Sequence, residues 1–223
     1  EVPLEVLKAG KKYGSVNIGR GETMQVEFVS ANPTGLLHVG HARGAALGDS
    51  LANLLSAAGY KVTREFYIND AGNQIEKLGE SLEARYLQAL GQPMPLPEDG
   101  YHGEDLVETV SRFVKRYKDK YVNVDGVLRR EMLVEFTLRE KLAAIKKTLE
   151  EFGVKFDVWF SEQTLYDNGA VAKTLNLLKE KDYIYDKDGA LWFRSSQLGD
   201  EKDEVVVRSN GLPTYFASDI AYH

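Results

Sequence analysis

Asn32-Pro33-Thr34-Gly35-Leu36-Leu37-His38-Val39-Gly40-His41 is a glycine-punctuated turn that carries two histidines and stands between a strand and a helix. Ahead of it, Met24-Gln25-Val26-Glu27-Phe28 alternates apolar and polar side chains, the period of a strand with one face in a core. Behind it, Leu47, Leu51, Leu54, Leu55 and Ala58 recur at helical spacing up to Gly59, a residue suited to ending a helix. Val62, Phe66 and Ile68 outline a second strand that runs into the turn Asn69-Asp70-Ala71-Gly72. Strand, turn, helix, strand is a βαβ unit, and its right-handed crossover makes the two strands parallel.

Outward from that unit, residues 1–22 read as a loop-rich entry segment, with Gly10, Gly14, Gly19 and Gly21 breaking any regular pattern. On the other side, Ile75, Leu78, Leu82, Tyr86 and Leu90 trace one face of a helix ending at Gly91, and the run Gln92-Pro93-Met94-Pro95-Leu96-Pro97 interrupts regular structure. Residues 101–152 are charged and helical in period, so 93–152 is expected to be a helical insertion within an α/β fold made of 23–92 and 153–223. Val154-Lys155-Phe156-Asp157-Val158-Trp159-Phe160 returns to strand character, and a short helix follows through Val171, Leu175 and Leu178. Tyr183-Ile184-Tyr185 and Ala190-Leu191-Trp192-Phe193 flank Asp186-Lys187-Asp188-Gly189 as a hairpin. The Asp-x-Asp-Gly there lacks the later acidic ligands of a calcium loop. Val205-Val206-Val207-Arg208 is a further strand, and the final residues read as an interruption rather than a natural end.

With 43% hydrophobic residues in 223, the chain has material for a sizeable core. Its lack of cysteine excludes disulfides, thiolate nucleophiles and cysteine-ligated zinc. Lysine and arginine total 28 against 34 acids, a net charge of −6, so this is not a generally basic nucleic-acid binder, and DNA is not an expected partner. There is no membrane-spanning run and no signal-peptide pattern, which makes the cytoplasm the expected compartment. The basic residues Arg112, Lys115, Arg116, Lys118 and Lys120 are interleaved with Asp105, Glu108 and Asp119, the pattern of a solvated helix face.

Neither the lysine-bearing phosphate loop nor Gly-x-Gly-x-x-Gly is present, and His38-Val39-Gly40-His41 meets the need for a nucleotide site differently. A bare Gly40 leaves the backbone open to a purine, and the helix opening near His41 offers N–H groups and partial positive charge to phosphates. His38 and His41 can donate hydrogen bonds as charge builds on an α-phosphate, with cationic forms helping if phosphate raises their pKa. Gly44 and Gly48 each cost a helix about 1 kcal/mol relative to alanine, for which close helix-to-strand packing is the expected return. Taken alone, His-x-Gly-His is equally compatible with imidazoles that bind nothing. A zinc site would need three or four ligands, and His102 and His223 are distant in sequence.

Val26-Glu27-Phe28-Val29-Ser30-Ala31-Asn32-Pro33-Thr34-Gly35, His38-Val39-Gly40-His41 and Tyr67-Ile68-Asn69-Asp70-Ala71-Gly72-Asn73-Gln74 together resemble the first half of the catalytic domain of bacterial arginyl-tRNA synthetases. Pro213-Thr214-Tyr215-Phe216-Ala217-Ser218-Asp219-Ile220-Ala221-Tyr222-His223 is similar to that family's arginine-pocket segment, so the resemblance covers nearly the whole chain. It implies a Rossmann-like parallel sheet, the first half of a class I synthetase catalytic domain, with a mostly helical insertion. It also implies ATP-dependent activation of L-arginine to arginyl-adenylate and transfer to tRNA(Arg), with ATP and its Mg2+ as cofactors. Carried over by position, His38, Gly40 and His41 hold ATP, with the two histidines catalytic, and no protein-bound metal is implied. Asn32 holds the α-amino or α-carboxyl end of arginine, and Glu27, Tyr215 and Asp219 line its side-chain pocket. Carboxylates suit a guanidinium, whose planar fork of donors they can meet two bonds at a time. Without the resemblance, Glu27 reads as a solvent-facing strand residue and Asp219 as a helix-start acid.

The chain departs from the family pattern in carrying no Lys-Met-Ser-Lys-Ser-type loop, no glutamine completing the α-amino site, and neither the tRNA-elbow nor the anticodon-binding domain. It therefore reads as an internal fragment with a sheet edge that the second half of the fold covers. Two other readings stay open: a small-molecule nucleotidyltransferase sharing the histidine signature, and a module that binds ligand without useful turnover.

Overall fold

In the computed structural model, which describes residues 2–223, the chain opens with a helix, α1 (Val2–Ala9), rather than a loop. Pro3 sits in its first turn, where a missing N–H costs nothing, and Leu4, Glu5, Leu7 and Lys8 are good helix formers. None of its residues is buried.

β1 (Thr23–Glu27), α2 (Val39–Ala57) and β2 (Lys61–Ile68) form the expected βαβ unit, with β1 and β2 parallel and Glu27 opposite Glu65. The leucine row that marks α2 as a helix is not its packing face. Leu47, Leu51 and Leu54 are 72%, 46% and 68% exposed, and the buried positions are Ala45, Gly48 and Ala52. A side chain on Gly48 would put Cβ 2.2 Å from the ring of Phe28, so the absent side chain is what lets the helix lie close to the chain leaving β1. Gly44 does not share that role, because nothing lies within 4 Å of where its Cβ would be.

Onward from β2 the chain forms α3 (Asn73–Ala89), α4 (Glu104–Tyr117) and the long α5 (Gly126–Glu151), and then β3 (Val158–Ser161), which lies beside β2 in the order β1-β2-β3. The strand expected over residues 154–160 begins only at Val158. Asp157 engages the backbone of Arg64 from both sides instead: its N–H donates to the Arg64 carbonyl at 2.9 Å, and its carboxylate accepts the Arg64 N–H at 2.8 Å.

The chain packs as two units, residues up to Ile68 with Arg139–Phe160, and Asn69–Leu138 with Ser161–His223. The divisions fall after Ile68, Leu138 and Phe160 rather than at the proline run, where Met94 packs on the helical core and its carbonyl accepts a hydrogen bond from Gln88. The first unit is centred on Phe28, Ala45, Phe66, Ile68, Ile145 and Leu149, with Trp159 stacked on Phe66 at 4.4 Å. The helical part of the second is centred on Leu78, Leu82, Tyr86, Leu106, Phe113 and Phe136.

The second unit also holds α6 (Gln163–Asp167), α7 (Ala170–Glu180), β4 (Ile184–Lys187), β5 (Ala190–Phe193), β6 (Glu204–Val207) and α8 (Tyr215–Tyr222). The β4–β5 hairpin turns on Asp188 and Gly189, at φ 52° and 76°, the pair of left-handed residues a two-residue turn demands. β4, β5 and β6 make an antiparallel sheet of their own rather than extending the parallel one.

Candidate active site

The histidine pair builds its own helix entrance. His38 is the residue preceding α2; its Nδ1 accepts the Gly40 N–H at 3.1 Å, while its own N–H donates to His41 Nδ1 at 3.1 Å. The two rings stack with centroids 3.8 Å apart. With both Nδ1 atoms accepting, the neutral form of each imidazole carries its proton on Nε2 and can donate it outward. Burial, and then the neighbouring His38, hold His41 below the usual histidine range. An added proton on His41 would occupy the nitrogen that accepts the His38 N–H, so the neutral form of His41 is the one that caps the helix. The space a Gly40 side chain would need is filled by the His38 ring, whose Cε1 would be 2.9 Å from Cβ. Beside His38 lies an apolar hollow of about 440 Å³ walled by Leu37, Val39, Leu149 and Phe152.

Glu27 ends β1 and is exposed, and Ser30 Oγ donates to its Oε1 at 2.6 Å while accepting the Tyr67 N–H at 3.1 Å. The bend that brings Ser30 back runs through Val29 and Ser30 at φ 66° and 40°. A β-branched residue there is strained by roughly 1–3 kcal/mol, a cost that accumulates at functional sites. Asn32 is exposed between buried Ala31 and Pro33.

The second unit contains a cavity of about 470 Å³ walled by Asn69 and Ala71–Gln74, by Glu162, Gln163 and Tyr166, and by Arg208 and Leu212–Tyr215. Residues of the blocks 67–74 and 213–223, which carry the family resemblance, thus face one hollow. Tyr215 and Asp219 lie one turn apart on α8, as their spacing required, and both are exposed. Tyr215 lines the cavity.

Glu162 was not singled out by its sequence. It lines the cavity at 4% exposure, and its Oε2 has no hydrogen-bond partner. Burial holds its carboxyl above the ordinary glutamate range; Asp219 and Asp70 push the same way, and hydrogen bonding with Ser218 opposes them. Tyr166 is raised by burial, with Glu162 and Asp219 pushing the same way and hydrogen bonding with Ser218 opposing them. A buried acid with one oxygen unsatisfied has acceptor capacity left for a ligand that carries several donors. The one sequence signal was its place immediately after an apolar strand, where open α/β folds bind ligands. Glu27, Asn32, His38, Gly40 and His41 belong to the first unit and Glu162, Tyr215 and Asp219 to the second. Among the described residues no group of three or more histidines and carboxylates could hold a metal ion, and no helix is long and apolar enough to cross a membrane.

The model of the class I tRNA synthetase (R) catalytic domain matches residues 3–223. The arginine–tRNA ligase of Moorella thermoacetica is 69% identical over 98% of this chain, and that of Heliobacterium modesticaldum is 63% identical over the same share. An arginyl-tRNA synthetase structure from Campylobacter jejuni superposes with TM-score 0.85 at 37% identity, over 100% of this chain and 48% of that one. The Thermus thermophilus arginyl-tRNA synthetase superposes at TM-score 0.64 and 26% identity, over 100% of this chain and 38% of that one. The chain spans 39% of the length of those two curated relatives. With the family model matched almost from end to end, this chain belongs to the class I arginyl-tRNA synthetase family, whose members are ligases.

Proposed function

We propose that this chain carries the ATP and arginine contacts of an arginyl-tRNA synthetase, which activates L-arginine to arginyl-adenylate and passes it to tRNA(Arg). In activation, an oxygen of the arginine carboxylate forms a bond to the α-phosphorus of ATP, and the bond to the β-phosphate oxygen breaks, releasing pyrophosphate. His38 and His41, as outward Nε2–H donors at the start of a 19-residue helix, stabilise the charge that moves onto the phosphate oxygens. Gly40 leaves room for the His38 ring to lie against the helix start. Mg2+ would arrive with the nucleotide and offset the charge on its phosphates. Asn32 holds the α-amino or α-carboxyl end, and Glu27, Tyr215 and Asp219 contact the arginine side chain, with Glu162 added to them.

The observation that carries the arginine reading is the buried, half-satisfied Glu162 carboxylate on a cavity that Tyr215 also lines. Isothermal titration with L-arginine and with citrulline tests it. Arginine binding that is at least tenfold tighter than citrulline, and weakened in Asp219→Asn and Glu162→Gln, supports the reading; equal binding of the two ligands overturns it. Titration with ATP tests the other half, and His41→Ala is expected to weaken it with the fold intact by circular dichroism.

A further inference from the structure

Glu162 cannot hold its own position. It stands between the end of β3 and the first residue of α6, and a helix of five residues is too short to fix the chain before it. What fixes it is Asp70. One Asp70 oxygen accepts the Ser161 hydroxyl at 2.7 Å and the other accepts the Gln163 backbone N–H at 3.0 Å, so a single carboxylate grips the residues immediately before and after Glu162. We propose that Asp70 is a positioning residue for arginine recognition, holding the Glu162 carboxylate in the cavity wall through this two-sided clamp.

The inference rests on reading Glu162 as an acceptor for the guanidinium. Asp70 itself is not in the cavity wall, although its neighbours Asn69 and Ala71 are, and its two oxygens are each taken by a donor. It therefore acts through Glu162 rather than on the ligand. The groups facing Glu162 are Asp70 from the turn before α3, Tyr166 on α6, and Ser218 and Asp219 on α8, while Arg208 and Glu76 border the same hollow. Two of these, Asp219 and Asp70, are carboxylates that repel Glu162, so an unrestrained side chain would swing away from them. A clamp on the backbone to either side opposes that, and the restraint is worth most at a site whose binding energy depends on two aligned hydrogen bonds.

The experiment compares L-arginine affinity of this chain and its variants by titration calorimetry, with backbone amide exchange of Gln163 followed by NMR. Asp70→Ala removes both bonds and is expected to weaken arginine by about tenfold, the usual worth of a hydrogen bond to a charged group. Asp70→Asn keeps the shape: its carbonyl oxygen accepts from Gln163, and its amide donates to the Ser161 hydroxyl, so affinity stays within about twofold of wild type. Ser161→Ala loses one of the two bonds, gives an intermediate loss, and stands in if Asp70→Ala does not fold. An Asp70→Asn loss as large as that of Asp70→Ala overturns the proposal in favour of a charge effect, and unchanged affinity in Asp70→Ala and Ser161→Ala overturns it outright. Glu162→Gln separates the two readings, since unchanged affinity there sinks the role of Glu162 itself. If wild type takes up no arginine, the pocket reading fails for this chain and the clamp is judged by exchange. Faster Gln163 exchange in Asp70→Ala but not in Asp70→Asn supports it, and equal rates overturn it.

Discussion

Glu162 sets binding against stability at a single residue. Its carboxyl is raised above the usual range by burial first and by Asp219 and Asp70 next, so the folded chain favours the protonated form more than the unfolded chain does. Linkage gives the sign: that contribution is fully present below the unfolded pKa and is lost as pH rises through the folded one. Glu162→Gln mimics the protonated form permanently and should therefore raise the thermal midpoint at neutral pH, a gain read by circular dichroism. The same variant should weaken arginine about tenfold, because a neutral amide accepts less strongly from a guanidinium. Wild-type affinity for arginine should also fall as pH is lowered from neutrality toward the upper glutamate range, and that fall should flatten in Glu162→Gln. Concurrent loss of stability and affinity in the variant would mean that Glu162 is a structural acid.

At the scale of elements, α2 shows what a sequence exposes and what it conceals. Its existence and limits were legible from leucine spacing and Gly59, and so was the parallel pairing around it. Its buried face was not, because a row of Leu47, Leu51 and Leu54 and a row of Ala45, Gly48 and Ala52 have the same period, and only the sheet decides which one packs. The two glycines separate cleanly. Gly48→Ala should destabilise by about 1–3 kcal/mol, since Cβ would collide with Phe28, whereas Gly44→Ala should stabilise by up to about 1 kcal/mol in open space, both read by denaturant unfolding. The entrance of α2 titrates as well. His41 is depressed below its ordinary value, so its stabilising cap is present above the unfolded histidine pKa and lost as pH falls through the folded one. Amide exchange at His38, corrected for intrinsic rates, should accelerate over that fall, and pH-independent protection would contradict the assigned hydrogen bond to His41. In the helical core, Glu83 is only 5% exposed and bonds both Arg129 and Arg130, and Arg129 also holds the carbonyls of Tyr121, Val122 and Val124. Glu83→Ala leaves those cations unpaired and should cost about 3–5 kcal/mol by the same unfolding measurement. That network was invisible in the sequence, where Glu83 and Arg129 are 46 residues apart.

Across the whole molecule, the sequence made the family legible because its motif blocks sit where backbone and ligand chemistry constrain them, at the ends of β1 and β2 and the start of α8. Glu162 stayed hidden because its burial arises from segments distant in the chain, Asn69–Gln74 and Leu212–Tyr215, closing around it. The same scale governs turnover. The chain covers 39% of the length of its curated relatives and contains no Lys-Met-Ser-Lys-Ser-type run. The charge passing from α-phosphate to pyrophosphate therefore meets the hydrogen bonds of His38 and His41 and a helix end but no lysine of that loop. Losing one preorganised donor to a developing anion typically costs about a hundredfold to a thousandfold in rate. A second loss comes from the acceptor end of tRNA, which reacts fast only when held in line with the adenylate. We therefore expect the 223-residue polypeptide to bind ATP and arginine weakly, with arginine-dependent exchange of labelled pyrophosphate into ATP near background and charging of tRNA undetectable. Exchange at the rate of a full-length relative, in a sample whose intact mass confirms these residues alone, would show that the histidine entrance and the Glu162 cavity suffice for activation.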